Sequence, residues 1–350
     1  MKRLHLAALT AGLGLIGVAA TGTAEAQVFK GKTVTIIVST GAGGSYYDVA
    51  QAFARHMPQH IPGSPAMIVK AMPGAGNVLA TNFLHNIAPK DGTTIGTINN
   101  SIPLHQVLDG MGVHYDARNF NWLGSTGSYN SVAYVWHTAG VKTIKDVMEK
   151  EVILGGTGVG SSIVIYPTVM NNVLGTKFKI VLGYKSTMEI DVAMEREEVQ
   201  ARTGSYTALK SEHPEWVKDK KVDIIAQIGE KKDPELATIP LMTELGKTDE
   251  ERQVLKLISS PIAVGRPYLA PPDVPADRLA ILRKAFDETL KDKGFLADAK
   301  KLDIDIDPTS GEELTRIVRE TIEAPPAVIA KAKAAMVDPR NPAPQGSAAK

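Results

Sequence analysis

Thr33-Val34-Thr35-Ile36-Ile37-Val38-Ser39 runs directly into Thr40-Gly41-Ala42-Gly43-Gly44-Ser45, and a helix-like stretch over residues 46–56 follows. A short run of β-branched apolar residues reads as a buried strand, and the glycines as a tight turn. Pro58 ends the helix, because it has no amide donor and clashes with the preceding turn. A strand feeding a helix through such a turn is the unit of an α/β fold. The unit recurs outward from here. Residues 66–71 predict a strand, 78–87 a helix and 94–99 a strand, and 131–137 is a further strand. A second series sets strands at 151–154, 179–182 and 199–202 against helices at 162–174 and 189–195, and closes on a strand at 222–228. The last third predicts helices at 275–291, 295–300 and 311–322.

A chain of 350 residues suits two domains of roughly 150 residues better than one core. With 43% hydrophobic and 22% charged residues the composition is that of a globular protein. Lys+Arg 39 against Asp+Glu 38 leaves a net charge of +1, which argues against an extended nucleic-acid footprint or a polybasic membrane surface. The absence of cysteine excludes disulfides, Cys-ligated zinc, iron–sulfur clusters and thiol catalysis. Lys2 and Arg3 precede an apolar run from Leu4 to Ala20, and Ala24-Glu25-Ala26 ends it. That is the pattern of a secretory signal cleaved after Ala26, and it predicts export to the periplasm. No cysteine follows to carry a lipid anchor. No other stretch is long and apolar enough to span a bilayer, so the mature chain is expected to be soluble. Residues 337–350, rich in Pro, Ala and Gly, predict a flexible tail.

Three glycine-rich turns carry the functional signal. They are Thr40 to Ser45, Met72-Pro73-Gly74-Ala75-Gly76-Asn77, and Gly155-Gly156-Thr157-Gly158-Val159-Gly160-Ser161-Ser162. Free amides and the positive end of a helix dipole favour an anion at such points, and glycine lets it approach closely. Open α/β sheets bind ligands there, beyond the carboxyl ends of the strands. Ser45 is placed to cap its helix, with Asp48 completing a capping box. A plain tight turn explains any one of these segments; three, spread over two expected domains, favour a shared anion site. None has the G-x-G-x-x-G or Gly-Lys-Ser/Thr pattern of a nucleotide site, so a carboxylate is the better ligand. No G-x-S-x-G nucleophile elbow occurs. His56 and His60 have metal-like spacing, but Pro58 lies between them, and they read as surface histidines.

Ordered along the chain are Gly43-Gly44 with Asp48, Pro73-Gly74-Ala75-Gly76-Asn77, Ala88-Pro89-Lys90-Asp91-Gly92, and Tyr115-Asp116 to Phe120. Gly156-Thr157-Gly158-Val159-Gly160-Ser161, Tyr184-Lys185 and Leu269-Ala270-Pro271 come after them. Through these segments the chain resembles, over about residues 32–320, the solute-binding proteins of tripartite tricarboxylate transporters, the Bug-type receptors. The resemblance implies an α/β, two-lobed periplasmic binding protein of type II, the Venus flytrap, with a doubly wound sheet in each lobe. It implies a receptor that captures a small organic carboxylate and hands it to a membrane permease of that transporter class. No enzyme activity, cofactor, metal or nucleic acid is expected, and a monomer is expected.

Lobe 1 is expected over 27–129 plus 262–336 and lobe 2 over 130–261, with hinge crossings near 127–132 and 259–264. The first-lobe contacts implied are Thr40, Gly43, Gly44, Ser45 and Tyr46, with Asn99, Asn100 and Ser101. Those of the second lobe are Thr157, Gly158, Val159, Gly160, Ser161 and Ser162, then Thr203, Ser205 and Tyr206. Arg202 reads equally as a bidentate carboxylate clamp or as half of an ion pair. Tyr46 and Tyr206 suit an aromatic acid, whereas Tyr47 reads as core packing. Val164, Ala52 and Thr203-Gly204 stand where many relatives have His, Arg and Phe-Asp. A sensor subunit for a membrane kinase and, less readily, an exported hydrolase are the alternatives.

Overall fold

The computed structural model describes residues 28–108, 110–302, 304 and 306–337. The expected signal segment 1–26 and the tail beyond Val337 lie outside the described residues.

The strands assemble into two mixed sheets. The first contains β1 (Thr33–Val38), β2 (Ala66–Ala71), β3 (Thr94–Thr97), β4 (Asn121–Ser125), β10 (Pro267–Ala270) and β11 (Thr309–Ser310), in the order β11-β4-β10-β3-β1-β2. The second contains β5 (Ser131–Trp136), β6 (Val152–Gly156), β7 (Phe178–Leu182), β8 (Ala201–Ser205) and β9 (Val222–Ile228), in the order β7-β6-β8-β5-β9. β1 pairs in parallel with β2 and β3, so that Ile36 lies opposite both Val69 and Ile95. β6 likewise pairs in parallel with β7 and β8. In each sheet an antiparallel strand is inserted beside this parallel set: β10 next to β3, and β5 next to β8. Each inserted strand follows directly on a crossing of the chain between the sheets, at 126–130 and at 260–266.

Helices cover both faces of each sheet, and strand alternation decides which side chain goes where. Ile36 and Val38 face one core with Phe53, Phe286 and Phe295, whereas Ile37 faces the other with Leu84, Ile98 and Trp122. In β5, Val132, Tyr134 and Trp136 take one side, and Ala133 and Val135 the opposite one. Phe53 is fully buried, with ring centroids 4.4 Å from Tyr268, 5.1 Å from Phe286 and 4.6 Å from Phe295. Burying one such ring contributes about 1.5–3 kcal/mol. His56 and His60 both face carboxylates: His56 Nε2 sits 3.0 Å from Asp298, and both rings lie within 3.6 Å of Asp292.

Among the differences from the sequence reading are a shifted strand and an added helix. β8 begins at Ala201 rather than 199 and continues through Ser205, so that residues 203–205, beyond the end of the expected strand, are strand and Tyr206 starts a helix. The final helix, Pro326–Ala335, packs on the helix Asp249–Ser259 beside the second sheet, and Asn172 Nδ2 donates to its Ala335 carbonyl at 2.7 Å.

Candidate functional site

A cavity of about 360 Å³ lies between the two sheets, at the carboxyl ends of β1, β6 and β8. The first half of the chain lines it with Ser39, Thr40, Gly43, Gly44, Ser45 and Tyr46 and with the 73–77 turn. The second half lines it with Thr157, Ser161, Ser162 and Ile163, with 183–187, and with Arg202, Gly204, Ser205, Ala208 and Glu212. Tyr129 and Ser131 close it at the crossing.

Four helices start at this cavity: Ser45–His56, Ser162–Val169, Thr187–Glu195 and Tyr206–Glu212. Three are capped by their own serine: Ser161 accepts from Ile163 N, Ser186 from Glu189 N, and Ser205 from Ala208 N, each at 3.3 Å. The helix Ser45–His56 has Gly44 at its N-cap and receives no side-chain cap. Ser45 is thus its first helical residue, not its cap, and the expected capping box does not form. Asp48 instead accepts from the Gly44 amide, while burial holds its carboxyl above the usual range. Orphan amides and the positive ends of four helix dipoles favour an anion at this wall.

Arg266 reinforces that field from behind. It is 3% exposed and forms no carboxylate pair among the described residues. Its Nη2 donates to Ser205 Oγ at 3.4 Å and Thr207 Oγ1 at 3.3 Å, and its guanidinium lies 4.3 Å over the Tyr129 ring.

The two halves also touch directly. Gly41 N donates to Lys185 O at 3.3 Å, and Ser101 Oγ to Gly160 O at 2.8 Å. A Cβ built on Gly76 would sit 2.6 Å from Gly160 N and 2.8 Å from the Gly158 carbonyl carbon. Only glycine permits this backbone-to-backbone seam.

Of the residues expected at the site, Thr40, Gly43, Gly44, Ser45, Tyr46, Thr157, Ser161, Ser162, Arg202 and Ser205 are brought together on the cavity wall. The others lie elsewhere, for identifiable reasons. Gly158 and Gly160 form the seam with Gly76, and half-buried Val159 lies between them. Asn99 is spent on its own turn, its Oδ1 accepting from the Ser101 amide at 3.1 Å. Asn100 Nδ2 donates to Pro261 O at 2.9 Å, across the crossing. Thr203 is buried and donates to Ile163 O at 3.1 Å.

Tyr206 is buried with its hydroxyl 3.0 Å from Glu235 Oε2 and Lys210 Nζ 4.9 Å over its ring, away from the cavity. Tyr46 keeps its ring at the wall, but its hydroxyl accepts from Asn100 N, lies 3.2 Å from Tyr129 and donates to Gly265 O. Burial first, then Tyr129, pushes that phenol well up. Tyr47 is half-buried against the first core.

Arg202 resolves as an ion pair. Its Nε is 2.5 Å from Asp191 Oδ1 and its Nη2 3.1 Å from Oδ2, with both side chains 2% exposed. His213 Nε2 adds a third contact to Asp191 Oδ2 at 3.0 Å, its ring stacked 3.9 Å from that of Trp216. Burial opposes charge on Asp191 and His213 alike, yet their partners win: Arg202 and His213 hold Asp191 low, and Asp191 raises His213. Asp191, Glu212 and His213 place one ligand atom each within 4.8 Å, as a metal would need. Asp191 already gives both oxygens to cations, and Arg202 repels a third. The group does not fit a metal.

Tyr129, Lys185, Ser186, Thr187, Glu212 and Arg266 were not anticipated. Ser186 followed three residues later by Glu189 is a readable helix start. Nothing local distinguishes Glu212, which reaches the wall only because its helix turns back over β8.

Known proteins fit this architecture. A family model described as tripartite tricarboxylate transporter family receptor matches residues 49–333. No curated protein matches the chain. The solved structure of the periplasmic binding protein BugD superposes with a TM-score of 0.71 at 20% identity, covering 88% of this chain and 98% of that one. MatC from Rhodopseudomonas palustris, solved with bound malate, gives 0.69 at 18%, covering 85% and 99%. An R. palustris protein solved with adipate gives 0.66 at 17%, covering 87% and 97%. At these identities the structures carry the fold, two lobes around a central cleft, and the family model carries the lineage. The chain belongs to the tripartite tricarboxylate transporter receptors, which are periplasmic solute-binding proteins and not enzymes.

Proposed function

We propose that this receptor captures a small organic carboxylate between its lobes in the periplasm, after cleavage behind Ala26, and delivers it as a monomer to a tripartite tricarboxylate-type permease. Lobe 1 is 27–129 plus 262–336 and lobe 2 is 130–261, with the last helix reaching back to brace lobe 2. The observation that supports the reading is the convergence of four helix starts and three glycine-rich turns from both halves on one cavity. A volume of about 360 Å³ is in the range for a small metabolite.

The carboxylate is bound at the uncapped start of Ser45–His56, with Thr40, Gly43, Gly44 and Ser45 on one side and Thr157, Ser161, Ser162 and Ser205 on the other. Each hydrogen bond to a charged group contributes about 1.5–3 kcal/mol. Four or so would offset association costs and reach the ~8 kcal/mol of a micromolar complex. Malate and adipate, found in two of the similar structures, frame the sizes to try. A thermal-shift screen of the mature protein against C2–C7 carboxylates is the test. A saturable rise in melting temperature is expected for at least one, and no rise with any would remove the reading.

A further inference from the structure

Arg266 stands at the second crossing, directly before β10 of the first sheet, and its side chain reaches the second sheet. Its Nη2 donates to Ser205 Oγ, at the end of β8, and to Thr207 Oγ1, in the helix Tyr206–Glu212. Its guanidinium lies over the ring of Tyr129, which belongs to the first crossing. Tyr129 and Ser205 line the cavity, so this cation sits one side chain behind the wall where the site residues meet. It is held there without being neutralised. Both donations are long, at 3.4 and 3.3 Å, and the buried Nε has no hydrogen-bond partner. No carboxylate pairs with it among the described residues. Arg202, a second buried guanidinium at this wall, shows the contrast, with bonds of 2.5 and 3.1 Å to Asp191. Two neutral hydroxyls and an aromatic face solvate a guanidinium but leave its charge standing, and it does not shed its proton.

We infer that Arg266 is a charge lock on closure: it opposes shutting of the empty cleft, and the negative charge of a bound carboxylate releases it. This rests on the proposed carboxylate site and adds the residue that couples its occupation to closure. With the halves apart, water hydrates the guanidinium. Bringing Ser205 and Thr207 onto it strips that water and leaves a cation with no counter-ion of the chain's own, which is costly. An anion on the cavity side of Tyr129 and Ser205 supplies the missing charge across a dry wall, where Coulomb attraction is weakly screened. A neutral ligand of the same shape leaves the cation uncompensated. Ligand charge therefore stabilises the closed form more than the open one, and only such a difference moves the equilibrium. Arg266 is a positioning residue in this scheme, since it acts on the ligand through Tyr129 and Ser205.

The test combines small-angle X-ray scattering of the ligand-free mature protein with calorimetric titration of C2–C7 carboxylates and their amides. Both are run on wild type, Arg266→Met and Arg266→Gln. Met fills the space of the arginine stem against Tyr129, Gln keeps a donor, and neither is charged. Ligand-free, both variants should scatter as more compact particles than wild type, and Arg266→Met should melt no lower than wild type. The preference of the wild type for a carboxylate over its amide should shrink by roughly fivefold or more in both variants. A packing role would weaken acid and amide alike and leave that ratio in place. Unchanged scattering, or a surviving preference, overturns the lock and leaves the carboxylate site standing. Should one variant not fold, the other decides; failure of both to fold would make Arg266 a support of the fold and overturn the lock. Binding of no carboxylate by the wild type overturns the site itself, and the lock with it.

Discussion

Asp191 determines what Arg202 can do. A guanidinium that is 2% exposed and held on two oxygens cannot also grip a ligand without stranding a buried carboxylate. Asp191→Asn should therefore destabilise the fold by about 3–5 kcal/mol in urea unfolding, because Arg202 is left charged and unpaired. Asp191→Asn combined with Arg202→Met should recover most of the loss; an unrecovered double variant would mean that the pair has another role. His213 gives the same cluster a pH dependence. Asp191 raises it above its ordinary value, so its contribution is complete below about pH 6.5 and fades as pH rises through the folded-state value. Asp191, held low, contributes above about pH 4 and loses its contribution as pH falls further. The melting-temperature gap between wild type and His213→Asn should shrink as pH climbs from 6 to 9. A gap that stays constant would show that His213 is uncharged throughout.

At the scale of elements, the 73–77 turn carries the clearest strain. Ala75 (φ 46°), Gly76 (φ 63°) and Asn77 (φ 80°) stand in succession in the left-handed region. For Ala75 and Asn77 that costs on the order of 1–3 kcal/mol each, and the bend it creates brings Gly76 onto Gly158 and Gly160. Gly76→Ala puts a methyl group where the opposing backbone lies. Ligand affinity is expected to fall at least tenfold while far-UV circular dichroism and the ligand-free melting temperature change little; retained affinity would mean that the seam does not close on the ligand. Thr248→Ala is the contrasting case, since it removes a capping box from Asp249–Ser259, far from the cavity. It should lower stability by about 1 kcal/mol in urea unfolding and leave affinity unchanged. The three glycine turns were legible in sequence because glycine runs after β-branched runs have few other uses. Asn99 and Thr203 misled because a short polar side chain in or just beyond a strand bonds nearby backbone as readily as a ligand. Arg202 and Asp191 could not be paired from the chain, since the contact joins a strand to a helix that only the tertiary fold brings together.

At the scale of the molecule, two crossings tie the halves, and each runs through a glycine at positive φ. Gly127 (φ 138°) and Gly265 (φ 65°) abut so closely that a Cβ on Gly265 would fall on the Gly127 carbonyl oxygen. Tyr46 donates to that same Gly265, so the wall of the cavity is bonded to the crossing itself. Chain length and two series of strands and helices pointed to two domains, and β5 was legible as a strand; its antiparallel pairing, and β10 altogether, were not, because both are properties of the crossings. The halves touch through Gly41 and Lys185, Gly44 and Thr187, and Gly76 and Gly160, which is a closed cleft. A receptor that released its solute from this arrangement would have to part those contacts. The lack of cysteine makes the movement measurable, since any introduced pair can join only with itself. A Cβ on Gly41 would lie 3.3 Å from Ser186 Cβ, a few tenths of an ångström inside the usual disulfide separation. Gly41→Cys with Ser186→Cys should thus oxidise to an intramolecular cross-link slowly without ligand and several-fold faster at saturation with the carboxylate that the thermal screen selects. Equal rates with and without ligand would mean that the cleft closes independently of its cargo, and the energetic argument for ligand-driven closure would fail.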